Sequence, residues 1–563
     1  MTLERMANLG EPAIDPADPY ARRAQTFPKL TAEQVERASE FGAVEALPRG
    51  TELFARGDRA RDFFVVIEGG IDIFDDTPAG PVLVASHAAH EFTGDLDLLN
   101  DRRMLVSARM AVTGQVLRIA RTSFRRLLAA EPDIAEIVMR AFILRRVGLM
   151  EHEQAATLLV GARTSGDLLR LYRFLDHNGY PVRVVDPAVS EEGRELAATH
   201  RLGHDDLPAA VLGYSRVLRN PTNRELAVAI GLSESLDPEL VYDVAIVGAG
   251  PAGLAAAVYG ASEGLGTVVL EAEAPGGQAG TSSKIENYLG FPIGISGPAL
   301  AGRATIQAQK FGARLVVSRR VVRLHCDRRP YGLELDDGEL LRARTVVIAT
   351  GARYRKLDLA DFERFEMRGI HYAATALEGA LCEGEEVAVV GGGNSAGQAA
   401  IYLSRRAAHV HVLVRGPGLA ASMSEYLIAR IRASRAITLH LDTEITALAG
   451  KRHIEEVTWR NRRTGAEQTR AMSNVFVMLG AMPNTEWLRG CLALDDSGFV
   501  LCGAGFDRDG GWESDRLPHV LETSRRGVFA VGDVRSGSVK RVASAVGEGS
   551  IVVSAIHSSL AET

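Results

Sequence analysis

The stretch DVAIVGAGPAGLAAAVYGA, residues 243–261, decides the fold of the larger part of this chain. An apolar run leads into a glycine turn and a helix of small residues, and TVVLEAE, residues 267–273, follows as a second strand ending in Glu271. Gly248 makes the turn, Gly250 admits a pyrophosphate, and Gly253 lets the helix pack on the strand. Glu271 lies about 20 residues on, where a carboxylate accepts ribose hydroxyls. The pattern predicts a parallel α/β Rossmann unit that binds FAD or NAD.

The fingerprint recurs in EVAVVGGGNSAGQAAIYLS, residues 386–404, and HVHVLVR, residues 409–415. The expected nucleotide-contacting residues of this second turn are Gly391, Gly393, Asn394, Ser395 and Ala396. Its second strand ends in Arg415 rather than in an acid, which favours the 2′-phosphate of NADPH over NADH. The alternative is that Arg415 is a solvated charge at the end of the strand and contacts no nucleotide. Two dinucleotide folds, one acidic and one basic at the ribose position, indicate a flavoprotein reduced by a pyridine nucleotide.

From about residue 240 to 563 the chain resembles the bacterial low-molecular-weight thioredoxin reductases. The matching stretches are PGGQAGTSSKIENYLGFP (275–292), VVIATGA (346–352), FVMLGAMPNTEWL (476–488) and ETSRRGVFAVGDVRSGSVKRVASAVGEG (522–549). The resemblance implies an FAD domain, 240–357 plus 485–563, split around an NAD(P)H domain, 358–484. It implies FAD and NADPH as cofactors and a homodimer. The further FAD contacts that it implies are Gly277, Gln278, Asn287, Thr350, Gly351, Gly532, Asp533 on the ribityl chain, and Arg541, Val542 and Ala543 by the flavin ring.

The chain departs from that family at its redox centre. Where the family carries C-A-T-C, this sequence has Ala373-Ala374-Thr375-Ala376. Because a thiolate is the nucleophile of thiol–disulfide exchange, the family's dithiol step is excluded at this position. Electrons must then leave from the flavin itself, to a protein carrier, a quinone, oxygen or a small molecule. Cys382, a few residues further on, is a displaced nucleophile or, as we favour, a small residue without a partner thiol.

Residues 25–150 predict a β barrel with trailing helices, in which Thr122 caps the first helix and Pro132 opens the second. With Gly57-Asp58, Phe64, Gly69 and Gly94-Asp95 in the expected order, they resemble the cyclic-nucleotide-binding domain of the catabolite activator type, a jelly roll. Asp95 replaces the family's ribose-binding Glu, and Met104 replaces its phosphate-binding Arg, although Arg102 and Arg103 are adjacent. A phosphate without its bidentate guanidinium is held weakly. We therefore expect weak cyclic-nucleotide binding, unless Arg103 takes the place of Met104, and a docking role for the barrel.

Residues 155–233 alternate strands and helices in the order of the thioredoxin or glutaredoxin fold, which they resemble. Pro208 stands in the place of that family's cis-proline. Ser165-Gly166-Asp167-Leu168 stands where the family has C-x-x-C. Since no thiol is present there, the sequence predicts a thioredoxin-like domain that cannot act as a dithiol relay.

Composition sets limits on the other functions. The 563 residues include 64 Lys+Arg and 71 Asp+Glu, and the net charge of -7 lacks the basic excess that nucleic-acid binding requires. Four cysteines indicate a reducing cytoplasm, and residues 1–24 predict a disordered lead-in rather than a secretory signal. His409 and His411 share a strand face and no Cys, Asp or Glu is expected to accompany them, so we expect ordinary strand positions rather than a metal site. No hydrolase pattern stands out.

These observations predict a multidomain protein in which a β jelly roll and a thioredoxin-like α/β domain precede two Rossmann-like α/β domains. The function they favour is a cytoplasmic FAD-dependent NADPH oxidoreductase with an unknown acceptor. One alternative is a nucleotide-binding sensor, redox or cyclic-nucleotide, with little or no turnover. A transcription factor is the third possibility, but a flavoprotein follows the barrel where a basic helix-turn-helix would be required.

Overall fold

The computed structural model describes residues 19–562 with short gaps, and the chain forms two compact units. The first unit comprises the chain up to Thr350 with Glu486–Ala493 and residues from Val500 onward, and the second comprises Gly351–Thr485 and Leu494–Phe499. In the parts that are described, no helix is long and apolar enough to span a membrane. The gaps are residues 60–61, 78–79, 100–101, 164, 214, 234–235, 283–284, 286–287, 360–361, 367, 373, 375–378, 380–381, 421–422, 452, 507–511 and 513–515.

The first unit opens with two helices and an antiparallel sheet. Residues 1–24 are predicted to be a disordered lead-in, and residues 1–18 lie outside the described residues. The prediction is wrong for residues 19–24, which belong to a 3-10 turn at Pro19–Arg22 and to the first helix. The sheet has the order β1-β5-β3-β4, with β2 paired to β5. The elements are α1 (Arg23–Thr26), α2 (Ala32–Ser39), β1 (Ala43–Leu47), β2 (Glu52–Phe54), β3 (Asp62–Thr77), β4 (Gly80–His87) and β5 (Ser107–Ala120).

Two helices, α3 (Arg121–Ala130) and α4 (Pro132–Glu151), trail the sheet. The expectation that Thr122 caps α3 is wrong, because the N-cap lies two residues earlier, at Ala120, which offers no side-chain acceptor. Pro132 occupies the first turn of α4, as predicted, where its missing N–H costs no hydrogen bond. Phe63, Phe92, Phe124 and Phe142 pack together between the sheet and these helices.

The next part of the first unit is a small sheet in the order β7-β6-β8-β9, flanked by helices. Strands β6 and β7 are parallel, whereas β8 and β9 run antiparallel. The Leu207–Pro208 peptide bond, which precedes β8, is cis. Ser165 caps α5 by accepting from Leu168 N. The elements are β6 (Thr157–Val160), α5 (Gly166–His177), β7 (Val182–Val185), α6 (Glu191–Thr199), β8 (Ala209–Leu212), β9 (Arg216–Arg219) and α7 (Asn223–Ile230).

A parallel sheet in the order β12-β11-β10-β15 follows, and the antiparallel strands β14 and β13 extend it. All four residues of the run Val244–Val247 are buried. Continuous burial is expected here, because both faces of a parallel sheet are covered. The elements are β10 (Val241–Val247), α8 (Pro251–Ser262), β11 (Thr267–Glu271), α9 (Gly277–Gly280), α10 (Gly297–Lys310), β12 (Arg314–Val317), β13 (Val321–His325), β14 (Tyr331–Leu335) and β15 (Leu340–Ile348).

The second unit contains a parallel sheet in the order β17-β24-β18-β19-β20, a three-stranded antiparallel sheet β21-β22-β23 and the pair β16-β25. The elements are β16 (Ala352–Tyr354), α11 (Phe362–Phe365), β17 (Ile370–His371), β18 (Glu386–Val390), α12 (Asn394–Leu403), β19 (His409–Leu413), α13 (Glu425–Ala433), β20 (Ile437–His440), β21 (Thr443–Ala449), β22 (Glu456–Asn461), β23 (Glu467–Ala471), β24 (Asn474–Val477) and β25 (Ala481–Pro483).

The chain then returns to the first unit and completes its Rossmann sheet. Strand β26 (Val528–Ala530) pairs in parallel with β15, and the final helix α14 (Val542–Ala561) packs on α8. The contact is close: a Cβ atom at Gly549 would lie 2.2 Å from the carbonyl oxygen of Ala252. The sheet is therefore built from segments on both sides of the second unit in the sequence, β10–β15 before it and β26 after it.

One apolar cluster joins the three parts of the first unit. Leu105 precedes β5 and Leu149 belongs to α4, Phe174 and Leu226 come from α5 and α7, and Val317 comes from the Rossmann sheet. All five side chains are buried. The N-terminal sheet with α4, and the small sheet β7-β6-β8-β9 with its helices, therefore pack on the Rossmann part.

Candidate functional site

The turn after β10 has the geometry of a dinucleotide cradle. Gly248 has φ +103°, and a Cβ atom there would lie 2.4 Å from the carbonyl oxygen of Ala349. A Cβ atom at Gly253 would lie 1.9 Å from the carbonyl oxygen of Gly248, whereas one at Gly250 would meet nothing within 4 Å. Close packing on one side and open space at Gly250 suit a pyrophosphate at the N-terminus of α8, where free N–H groups and the helix dipole favour an anion. The residues present therefore fit FAD.

Glu271, at the end of β11, lies beside this turn. Its Oε2 accepts from Ala249 N at 2.7 Å and its Oε1 accepts from Glu273 N at 2.9 Å. Burial raises the pKa of this carboxyl, and the two backbone donors oppose that shift. A buried carboxylate that is already fixed in orientation suits the ribose hydroxyls of a nucleotide.

The loop that opens α9 closes over the same turn. Gly276 N donates to the carbonyl oxygen of Ala249 at 2.7 Å, and a Cβ atom at Gly277 would lie 3.1 Å from Gly250 Cα. Both glycines have positive φ, 112° and 52°. Gln278 follows in the first turn of α9. The expected contact residue Asn287 lies outside the described residues.

Asp533 lies in the 3-10 turn Gly532–Val534, directly after β26. A Cβ atom at Gly532 would lie 3.0 Å from Ala252 Cβ, so the turn adjoins the first turn of α8, and burial raises the pKa of Asp533. Thr350 also adjoins the cradle, because a Cβ atom at Gly248 would lie 3.1 Å from Thr350 Cα. Arg541, the N-cap residue, and Val542 and Ala543 open α14.

Glu548, a residue that sequence reasoning missed, fixes the Asp533 turn. Its Oε2 accepts from Gly532 N at 2.7 Å and its Oε1 accepts from Arg535 Nη2 at 2.5 Å. The carboxylate is thereby paired and oriented from α14. A charged residue inside an otherwise small and apolar helix was the signal available in the sequence.

The second glycine turn, in the other unit, repeats the geometry. Gly391 has φ +139°, and a Cβ atom there would lie 2.5 Å from the carbonyl oxygen of Met478. Gly393 is the N-cap of α12, Asn394 and Ser395 are exposed in its first turn, and Ala396 is buried. The Oδ1 of Asn394 accepts from Ser424 N at 2.8 Å. The exposed N-terminus of α12 suits the pyrophosphate of a second dinucleotide.

Arg415 lies where the 2′-phosphate of that dinucleotide is expected. Gly391 N donates to the carbonyl oxygen of Leu413 at 3.0 Å, so the end of β19 adjoins the turn, and Arg415 follows two residues later. Its side chain is exposed. Gly351 has φ +64° and belongs to this unit rather than to the FAD side.

The cysteines occupy three different environments. At the family's dithiol position, Ala373, Thr375 and Ala376 lie outside the described residues. Cys382 is fully buried in an apolar core, which shields it from a reactant. Burial raises the pKa of the Cys502 thiol to about 12, which disfavours its thiolate.

Cys326 and Cys491 form a disulfide that sequence reasoning missed. Their Cα atoms are 6.1 Å apart across a sequence separation of 165 residues. The carbonyl oxygen of Cys491 accepts from Arg525 Nε, so the pair adjoins the residues that precede β26, whereas Asp533 follows the strand's other end. The disulfide therefore lies near the amino-terminal ends of the parallel strands, whereas the Gly248 turn lies at their carboxyl-terminal ends.

His409 and His411 are in a strand, but the expectation that no acid accompanies them is wrong. His411 Nε2 lies 3.1 Å from Glu386 Oε2, and its Nδ1 lies 3.1 Å from His440 Nε2. Parallel pairing of β18, β19 and β20 brings these side chains together from positions far apart in the sequence. Among the residues that the structure describes, no group of three or more His, Cys, Asp or Glu side chains is placed to hold a metal ion.

The residues at the cyclic-nucleotide positions of the barrel, Asp95 and Arg103, form ion pairs or hydrogen bonds within the chain. Arg146 of α4 places Nη2 2.5 Å from Asp95 Oδ2 and 2.6 Å from Asp97 Oδ2. Met104 is buried, and Arg103 Nη1 donates to the carbonyl oxygen of Gly57 at 2.8 Å. The carboxylate expected at a ribose is thus paired within the chain, and Arg103 is engaged elsewhere.

Comparison with known proteins gives two family matches. Residues 242–549 match the family described as pyridine nucleotide-disulphide oxidoreductase, and residues 44–131 match the cyclic nucleotide-binding domain.

Individual relatives cover the same region. The NADPH-dependent thioredoxin reductase 3 of Arabidopsis thaliana is 34% identical over 60% of this chain and 64% of its own length. The NADH dehydrogenase of Bacillus subtilis is 33% identical over 56% of this chain and 58% of its own. The chain thus spans less than two thirds of either relative. The thioredoxin reductase structure from Streptococcus pyogenes is 31% identical with a TM-score of 0.50, covering 57% of this chain and 99% of that one.

Proposed function

This chain belongs to the pyridine nucleotide-disulphide oxidoreductase family, and on that premise we propose that it oxidises NADPH and passes the electrons through FAD to an acceptor that reacts without a redox dithiol. Relatives in this family use FAD and NADPH. FAD, when bound, supplies the electron-transfer chemistry between the nucleotide and the acceptor. The protein supplies the two cradles and their electrostatics.

The observation that carries the proposal is that the sequence has Ala373-Ala374-Thr375-Ala376 at the dithiol position and retains both glycine turns. The turns at Gly248 and Gly391 keep the close backbone approach that nucleotide binding requires. Alanine at both thiol positions removes the nucleophile of disulfide exchange. The close-packed glycine turns therefore support nucleotide binding, and the absence of the two thiols at this position supports a different acceptor.

The remaining cysteines do not replace the missing pair. Cys382 is buried among apolar side chains, and the Cys502 thiol has a raised pKa. The disulfide between Cys326 and Cys491 lies near the amino-terminal ends of the parallel strands, opposite to the Gly248 turn. This placement supports a structural rather than an electron-carrying role for that disulfide.

On the FAD side, the roles we propose follow the cradle. Glu271 would hold the ribose, the Gly250 turn and the start of α8 the pyrophosphate, and Asp533 the ribityl chain. The loop at Gly277 and Gln278, the strand end at Thr350 and the first residues of α14 would enclose the group. On the NADPH side, Gly391 and Gly393 would cradle the pyrophosphate, and Arg415 the 2′-phosphate.

Anaerobic stopped-flow mixing with NADPH, followed by addition of oxidised thioredoxin, a quinone or oxygen, tests the proposal. We expect NADPH to bleach the visible flavin absorbance, and a quinone or oxygen, but not oxidised thioredoxin, to restore it. Fast reoxidation by thioredoxin that is lost in the double variant Cys326→Ser/Cys491→Ser would show that electrons leave through that disulfide. A flavin that NADPH does not reduce would favour the sensor function.

A further inference from the structure

The barrel encloses a cavity that no part of the proposed reaction uses. Its volume is about 50 Å³, and its walls come from the sheet, from α4 and from the segment that precedes α2. The apolar walls include Phe27, Phe54, Ile73, Val84, Met104 and Leu149. Since a water molecule needs about 10–15 Å³ by this measure, the cavity has room for roughly three to five water-sized groups.

A single buried guanidinium forms part of this apolar wall. Arg145 of α4 is 6% exposed, its Nε donates to the carbonyl oxygen of Thr26 at 2.9 Å, and its Nη1 donates to that of Gly94 at 2.8 Å. The remaining nitrogen, Nη2, is buried without a hydrogen-bond partner among the described residues. A buried charged donor that lacks an acceptor is costly, so this nitrogen calls for one.

Aromatic rings surround the same guanidinium. Its central carbon lies 4.9 Å from the ring centroid of Phe92, 5.3 Å from that of Phe27 and 5.9 Å from that of Phe142. The rings and the two carbonyl acceptors fix the guanidinium in place before any ligand arrives. A pre-oriented cation in an apolar setting binds an anion more strongly than one at the surface.

The other polar groups of the wall do not supply the missing acceptor. Among the lining residues, the Asp95 carboxylate is paired with Arg146, and the Tyr20 hydroxyl donates to Gln154 Oε1. Glu91, which is not a lining residue, accepts from Ala88 N and lies 3.7 Å from His87 Nδ1. His87 is buried, and desolvation lowers its pKa to about 4, so the ring is neutral at pH 7. Arg145 is therefore the cation that a ligand in the cavity would meet.

From this cavity and its guanidinium we propose that the barrel binds a short-chain monocarboxylate, with the carboxylate on Arg145 and the alkyl group among the apolar walls. The apolar lining excludes a polar body, and the volume excludes a long chain. A whole cyclic nucleotide is disfavoured, because Met104 stands at the phosphate position and the Asp95 carboxylate is taken by Arg146. The barrel would then report on a small organic acid.

Calorimetric titration of the full-length protein with propionate tests this proposal, with propionamide as the uncharged isostere. We expect saturable binding of propionate and about tenfold to hundredfold weaker binding of propionamide, the range for losing one charged hydrogen bond in a buried site. Octanoate is expected not to bind at this site. Equal affinity for acid and amide, or no saturable binding of propionate, would overturn the proposal.

Two variants locate the site. Ala85→Leu fills the cavity without touching the Arg145 hydrogen bonds, and it should abolish propionate binding, whereas Val82→Leu, exposed on the same strand, should not. Arg145→Lys should weaken binding by at least about tenfold, since an ammonium lacks the planar donor pair. Retention of binding in Ala85→Leu would place the acid elsewhere and refute the assignment. Micromolar binding of cyclic AMP that displaces propionate would identify the pocket as a nucleotide site instead.

Discussion

Gly253 is the residue at which the FAD cradle tolerates the least change. We expect Gly253→Ala to reduce bound FAD and to destabilise the protein by about 1–3 kcal/mol, because its Cβ would lie 1.9 Å from a backbone oxygen and the helix must move. The absorbance ratio of flavin to protein and the thermal midpoint measure this. Gly302→Ala in α10, with nothing within 4 Å, is the control and should stabilise slightly. Normal FAD content in Gly253→Ala would contradict the packing argument.

Arg415 determines the choice of nucleotide if it holds the 2′-phosphate. We expect NADPH to reduce the unaltered protein faster than NADH does. Arg415→Ala should lower the ratio of the two rates by about tenfold or more, which corresponds to the loss of one charge-assisted hydrogen bond. Stopped-flow rates with both nucleotides give the ratio. Arg432→Ala, exposed on α13, is the matched control. An unchanged ratio in Arg415→Ala would leave the residue as a solvated charge.

His87 links the stability of the barrel to pH. Its pKa in the folded protein is about 4, below the ordinary 6.5, because burial disfavours the charged ring. The unfolded chain binds more protons between these values, so stability is complete above pH 6.5 and falls as the pH drops towards 4. We expect a loss of about 2 kcal/mol at pH 5 relative to pH 7.5, which His87→Gln removes and exposed His177→Gln does not. Denaturant unfolding at the two pH values measures it.

Individual residues were predictable where their partners are local in sequence. Gly248, Gly250 and Gly253 form one turn, so their spacing alone indicates the cradle. Glu548 and Gly532 meet only because α14 packs back beside the turn. Cys326 and Cys491 are brought together across 165 residues. A single sequence contains no information on such distant pairings.

At the scale of elements, α4 is more than a spacer after the barrel. Its Arg145 forms part of the cavity wall. Arg146, the next residue, pairs with Asp95 and Asp97 in the loop that corresponds to the phosphate cassette. Burial raises the pKa of Asp97 to about 6, and Arg146 opposes this shift. The helix thereby fixes the loop in one conformation.

Arg146→Met tests the role of this helix. Removal of the guanidinium takes away the cation that Asp95 and Asp97 share, and Asp97 is fully buried, so we expect a loss of about 3–5 kcal/mol. Arg140→Met on the same helix removes only an exposed pair with Glu136 and should cost less than about 0.5 kcal/mol. Urea unfolding of both variants gives the comparison. Similar stabilities would show that the buried pair contributes little.

Element boundaries were predictable only in part. Pro132 opens α4 because its fixed φ and missing N–H fit the first helical turn. Thr122 lies inside α3 instead of capping it, since the packing of Phe124 and Leu127 on the barrel core starts the helix earlier than local propensity indicates. Tertiary packing overrides a cap signal of about 1 kcal/mol.

At the scale of the whole molecule, the disulfide is a stability device of the first unit. We expect the double variant Cys326→Ser/Cys491→Ser to unfold at a lower denaturant concentration, with a loss of about 2–4 kcal/mol for a bond that closes so long a loop. A reductant should destabilise the unaltered protein and leave the double variant unchanged. Four free thiols in the purified, denatured and unreduced protein would refute the bond.

The packing of α14 on α8 sets an order of assembly during synthesis. Ala252 and Gly549 touch in the finished protein, but a ribosome adding about 5–20 residues per second needs roughly 15–60 s to pass from one to the other. During that interval β15 has no β26 beside it, and α8 exposes the small-residue face that α14 later covers. The second unit, whose last residue is Phe499, emerges complete in the meantime. Nascent chains halted before Val528 are therefore expected to bind NADPH and not FAD.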